Sequence, residues 1–202
     1  MLVCVPLWLA APAHAAAVRI LALGDSLTAG YGLPHEQGFT TILQQAIDKA
    51  GLDAQVLDAG VSGDTSTGAL ARLDWALGDN PDAAIVELGG NDGLRGQPPA
   101  QMEHNIAAIL DHLQARHIPV LLSGMVAPPN MGAEYGHAFA AVFEHLSHRP
   151  GLLYDPFFLQ GVATHEDLEQ ADHIHPDAAG VRIIVARLMP QVRALIAEAR
   201  RK

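Results

Sequence analysis

Cysteine is almost missing from this chain. Cys4 is the only one in 202 residues, so no disulfide can form within it. Basic residues are also scarce: 12 Lys and Arg stand against 22 Asp and Glu, for a formal charge of -10. That balance excludes a phosphate-tracking surface, because nucleic-acid binding needs clustered cations. The closing Arg200-Arg201-Lys202 reads as a solvated helix end. The eleven histidines contain no HExxH pair, and no G-x-S-x-G elbow occurs anywhere. No internal repeat, linker or second domain is visible, and no apolar run reaches the roughly 20 residues that a membrane-spanning helix requires. Half the residues are apolar and only 17% are charged, which excludes disorder and suits one domain with a sizeable core.

The first 15 residues read as an export signal. Leu2 to Ala13 is apolar, and Ala13-His14-Ala15 fits a small-x-small cleavage site. No basic segment precedes the apolar run, so the signal reads as truncated. Cleavage after Ala15 removes Cys4 and leaves a thiol-free chain, compatible with an oxidising compartment. The expected organisation is a signal peptide over 1–15, one domain over 16–202, and a periplasmic or secreted location.

Beyond it, short β-branched runs alternate with longer amphipathic segments, the pattern of a parallel sheet covered on both faces. The expected strands are Val18–Leu23, Gln55–Asp58, Ala83–Leu88, Val120–Ser123 and Leu152–Tyr154. Helices are expected at Gly38–Ala50, Thr67–Leu77, Pro99–His117, Tyr135–His148 and Asp177–Arg200. Ile106, Ile109, Leu110 and Leu113 recur at helical spacing and should face the sheet.

Four segments follow these strands on one edge of the sheet, where open α/β folds bind ligands. The first is Gly24-Asp25-Ser26-Leu27, which presents a serine at a strand end. Its hydroxyl is unreactive unless a base and an oxyanion hole accompany it. The second runs from Asp58 to Ser66, where the Gly63 amide has no side chain in its way; it also reads as a helix entry capped by Asp64 or Ser66. The third, Gly89-Gly90-Asn91-Asp92-Gly93, offers the Asn91 carboxamide as a neutral donor. The fourth is Asp172-His173-Ile174-His175. A carboxylate three residues before a histidine reaches Nδ1 if the chain turns, which leaves Nε2 free to accept a proton. Pro176 and Asp177 suit a helix start and would hold His175 in a defined place. Each segment has a plainer reading as a turn or surface patch, and the fourth, with His165 nearby, also reads as part of a metal site. Taken together, four loops in strand order supply the parts of one reaction.

Those residues resemble the SGNH, or GDSL-type, serine hydrolases, whose four blocks are matched by Gly24-Asp25-Ser26-Leu27, Gly63, Gly89-x-Asn91-Asp92 and Asp172-x-x-His175. The stretch Val86 to Gly96, Gly63-Asp64-Thr65-Ser66 and Pro129-Asn130-x-Gly132-x-x-Tyr135 are similar to the bacterial periplasmic acyl-CoA thioesterase I, lysophospholipase L1 and arylesterase branch. The resemblance implies a three-layer α/β/α sandwich around a five-stranded parallel sheet, flavodoxin-like in topology. It implies Ser26 as nucleophile, His175 as base, Asp172 as the residue orienting it, and an oxyanion hole made by the Ser26 and Gly63 amides and the Asn91 side chain. Asp25, Leu94, Pro128 and Pro129 are candidate substrate contacts, and Val126 to Met131 could line an acyl groove.

The expected activity is hydrolysis of small carboxylic esters and acyl thioesters by a monomer that uses no metal or cofactor, has no nucleic-acid partner and carries no stable membrane anchor. Two alternatives are removal of acetyl groups from polysaccharide and a non-catalytic binding protein on the same fold.

Overall fold

The structure, a computed structural model, describes residues 16–201. The leader assigned to residues 1–15 lies outside the described residues.

Five parallel strands form the sheet: β1 (Val18–Gly24), β2 (Ala54–Gly60), β3 (Ala83–Glu87), β4 (Val120–Ser123) and β5 (Leu152–Asp155). Their order, β2-β1-β3-β4-β5, is the doubly wound flavodoxin-like arrangement, with its switch point between β1 and β3. The helices are α1 (Ser26–Ala29), α2 (Phe39–Lys49), α3 (Ser66–Ala71), α4 (Leu73–Ala76), α5 (Gly90–Leu94), α6 (Pro99–Ala115), α7 (Ala133–Ser147) and α8 (Ala178–Ala199). α2 packs with α8, while α6 packs with α3 and α7, giving a helical layer on either side of the sheet. β1 and β3 are apolar over nearly their whole length because both faces are covered. Ile106, Ile109, Leu110 and Leu113 are all buried, as their spacing requires.

Each expected strand and long helix is present within a few residues, with one exception. The helix expected over Thr67–Leu77 is broken in two at Arg72, whose backbone leaves the helical region (φ -101°, ψ 5°). The Arg72 side chain turns inward there, donating to Asp64 Oδ2 at 2.7 Å and to the Gly24 carbonyl at 3.0 Å. The short helices α1 and α5 lie where the sequence shows only turns, since four or five residues carry no periodicity to read.

The register aligns the strand ends. Gly60, Gly24, Glu87, Ser123 and Asp155 form one row across the sheet at its carboxyl edge. The polar members of that row are fully buried and partnered from above or beside. Thr28 donates to Glu87, Ser123 donates to Asp155, and Arg187 of α8 pairs with Asp155 while also donating to the carbonyls of Phe157 and Phe158. Gly24 has no room for a side chain: an added Cβ would lie 2.0 Å from Thr28 Oγ1 and 2.8 Å from Glu87 Oε2. The edge that carries the loops is thus pinned by polar contacts, while the rest of the sheet is held by apolar burial.

Candidate active site

Ser26 is the first residue of α1, directly after β1, and it is 9% exposed. The Asp25 side chain caps that helix, with Oδ1 accepting from Leu27 N–H at 3.0 Å. The Ser26 hydroxyl donates to His175 Nε2 at 2.9 Å, and His175 Nδ1–H donates to Asp172 Oδ2 at 2.6 Å. The three side chains predicted from two distant loops therefore form one continuous line. The turn that makes this possible has two parts. His173 adopts a positive φ of 54°, and Asp172 Oδ1 accepts from the backbone N–H of both Ile174 and His175 at 3.0 Å. Partial burial works against the Asp172 charge. The N–H and ring of His175 and the N–H of Ile174 outweigh it and hold the carboxyl at about 2. Asp172 is thus an acceptor at any ordinary pH, which fixes the imidazole tautomer with its proton on Nδ1. Asp177 caps α8, accepting from Ala179 and Gly180 N–H at 2.8 Å, so His175 stands just ahead of a fixed helix start.

Asn91 is in the first turn of α5 and lines the same cleft as Ser26 and Gly63. One of its amide hydrogens goes to Asp25 Oδ2 at 3.0 Å, and the other remains for a ligand. The Gly63 backbone has a φ of +82°. An added Cβ would make only ordinary contact, 3.6 Å from Arg95 Nη2, so conformation and not crowding is what demands glycine there. Arg95 also donates to the Gly63 carbonyl at 2.7 Å, orienting that peptide. The α3 cap is Thr65, whose hydroxyl accepts from Gly68 N–H at 3.4 Å, and not Asp64 or Ser66. Asp64 is held by Arg72, and Ser66 is committed to Asp92, whose carboxylate accepts from both its N–H and its hydroxyl at 2.9 and 2.6 Å. Asp92 in this way ties the Asn91 turn to the segment that carries Gly63.

The cleft has a volume of about 1140 Å³, and its lining includes Ser26, Gly63, Asn91 and His175. Leu94, Val126, Ala127, Pro128 and Pro129 also line it, whereas Asn130 and Met131 do not; Met131 lies against Gly96. Asp25 borders the cleft but is only 1% exposed, with both carboxylate oxygens bonded inside the protein. Its geometry suits holding Asn91 more than touching substrate. Among the described residues, no three His, Cys, Asp or Glu side chains gather to hold a metal ion.

Sequence spacing offered no sign of Arg72, Glu87, Gln170 or Tyr31. Tyr31 stacks on the His175 ring at 4.7 Å between centroids. Glu87 is fully buried beneath α1, with Oε1 meeting no hydrogen-bond partner among the described residues. Burial, then the charge of Asp25, raises its carboxyl well above the ordinary 4.5, against the Thr28 hydroxyl that favours the anion. Asp25 is raised as well, again by burial first, with Leu27 N–H and Asn91 opposing.

A profile of the GDSL-like lipase/acylhydrolase family matches residues 22–183. The chain belongs to that family. It is 40% identical over 184 residues to esterase TesA of Pseudomonas aeruginosa, covering 91% of this chain and 92% of that one. It is 37% identical over 183 residues to thioesterase 1/protease 1/lysophospholipase L1 of Escherichia coli, covering 90% and 86%. The crystal structure of TesA superposes with a TM-score of 0.83 at 39% identity, covering 88% of this chain and 99% of that chain. As a GDSL-like acylhydrolase, the protein is an enzyme that hydrolyses acyl ester and thioester bonds on a three-layer α/β/α frame.

Glu87 supplies a test of the buried edge. Its folded carboxyl titrates higher than its unfolded one, so between those two values the native state binds more protons and stability falls as pH rises. Glu87→Gln removes that dependence. The urea midpoint of the variant relative to wild type should therefore climb from pH 4.5 to pH 8, and a difference independent of pH would contradict the assignment.

Proposed function

We propose that Ser26 attacks the acyl carbonyl of a carboxylic ester or thioester and carries the acyl group as a covalent intermediate. The observation that carries this reading is the line of hydrogen bonds from the Ser26 hydroxyl through His175 to Asp172, at 2.9 and 2.6 Å, opening into an apolar cleft. His175 Nε2 takes the hydroxyl proton as the oxygen–carbon bond forms, and Asp172 stabilises the resulting imidazolium. The tetrahedral oxyanion is received by the Ser26 and Gly63 N–H groups and the free Asn91 amide hydrogen. Collapse breaks the bond to the alkoxide or thiolate, which leaves with the proton from His175. Water then enters, His175 removes its proton, and the acid is released as the serine regains its hydrogen. No metal or cofactor takes part in these steps.

The acyl chain is assigned to the wall formed by Leu94, Val126, Ala127, Pro128 and Pro129, supported by their place in the cleft beside Asn91. The substrate is a small acyl ester or thioester, and the enzyme acts as a monomer without a nucleic-acid partner or a stable membrane anchor. Export to the periplasm or outside the cell is supported by the apolar Leu2 to Ala13 run and its Ala13-His14-Ala15 cleavage pattern.

Two measurements test the reading. Asn91→Ala should lower kcat by about 10²–10³, the loss typical of one oxyanion donor, while the variant stays folded. Wild-type turnover in that variant would remove Asn91 from the mechanism. Across p-nitrophenyl esters from C2 to C12, the apolar wall predicts that kcat/KM rises beyond C2. A sharp optimum at C2 would favour the acetyl-removing alternative.

A further inference from the structure

The nucleophile follows β1 and the base precedes α8, 149 positions later in the sequence. One hydroxyl–imidazole hydrogen bond is weak cement for two such loops. Gln170 adds to it. Its Nε2 donates to the Tyr31 carbonyl at 2.8 Å and to the Pro176 carbonyl at 3.0 Å, spending one amide hydrogen on each loop. The Gln170 backbone grips the same turn: its N–H donates to the His175 carbonyl at 2.8 Å, and its own carbonyl accepts from His173 N–H at 3.0 Å. On the other side, Tyr31 N–H donates to the Ser26 carbonyl at 3.0 Å. Hydrogen bonds thus link Ser26 to Tyr31, and Tyr31 through the Gln170 carboxamide to Pro176, the residue after the base, while the Gln170 backbone holds His173 and His175.

The chain around this amide is shaped to receive it. Gly32 has a φ of +75°, and an added Cβ there would lie 2.1 Å from Gln170 Oε1. The segment that Gln170 holds also carries the Tyr31 ring, 4.7 Å from the imidazole and inclined at 39°. Gln170 does not line the cleft, so any effect it has on turnover passes through the residues it holds.

We propose that Gln170 is a positioning residue for the base: its carboxamide pins the His175 loop to the Ser26 loop and thereby sets the hydroxyl–imidazole distance. This rests on the reading of Ser26 as nucleophile and His175 as base. A misplacement of about 1 Å between reacting groups costs on the order of 10² in rate, so the loss belongs in kcat and not in substrate binding.

The experiment compares kcat and KM for p-nitrophenyl acetate in wild type, Gln170→Met, Gln170→Glu and Ser26→Ala, with a urea midpoint for each. Methionine keeps the length without donors; glutamate keeps the shape and turns acceptors toward two carbonyls. Both variants should lose about 10–100-fold in kcat with KM held within about threefold, a split that a merely structural role would not produce. The low-field proton resonance of His175 Nδ1–H should broaden or shift in both. Should the methionine variant not fold, Gly32→Ala displaces Oε1 with Gln170 intact and carries the same expectation and the same refutation. A folded variant whose kcat stays within about twofold of wild type, with Ser26→Ala inactive, overturns the role of Gln170 alone. Activity that survives Ser26→Ala overturns the reading of the site, and the proposal with it.

Discussion

The hydrogen bond between the Ser26 hydroxyl and the His175 imidazole joins the first strand of the sheet to the last loop of the chain. A serine hydroxyl is a poor nucleophile without a base, so the proposed role of Ser26 depends on this contact. The rest of the architecture makes sense as its support. The parallel sheet sends every strand end to one edge, and the order β2-β1-β3-β4-β5 sets the Gly63, Ser26 and Asn91 loops side by side around the switch point. The proposed base, His175, comes from farther away, on the connection between β5 and α8. It reaches Ser26 because Asp172 and His173 turn that connection back and the Asp177 cap fixes where it ends.

Much polar structure is buried under the carboxyl edge of the sheet. Asp25, Glu87, Ser123 and Asp155 are almost or wholly inaccessible, which is costly unless each is bonded. Each is: Asp25 to Leu27 and Asn91, Glu87 to Thr28, Ser123 to Asp155, and Asp155 also to Arg187. The other Glu87 oxygen meets no hydrogen-bond partner among the described residues, which accords with the upward shift that burial and Asp25 impose on the carboxyl. Such contacts are directional, and they locate the loops more sharply than apolar packing does.

The layered fold was legible in the sequence because both of its signals are local. Continuous apolar runs mark buried strands, and spacing such as Ile106, Ile109, Leu110, Leu113 marks the helix face against the sheet. The catalytic candidates were legible because each lies in a short motif, three of them just past a strand end and the fourth just ahead of α8. What escaped were contacts between segments remote in sequence. Arg72 breaks a helix to reach Gly24, and Gln170 crosses 139 residues to Tyr31; neither leaves a trace in composition or periodicity. The cap of α3 was misjudged for a related reason: Asp64 and Ser66 suit a cap locally, but Arg72 and Asp92 claim them and leave the place to Thr65.

In the proposed mechanism this arrangement makes Ser26 the nucleophile. Incubation of folded protein with a fluorophosphonate, followed by peptide mass spectrometry, reads out that role. A single phosphonyl adduct is expected on Ser26, and it should disappear in His175→Ala. An unlabelled folded protein, or an adduct on another cleft serine such as Ser62, would contradict it.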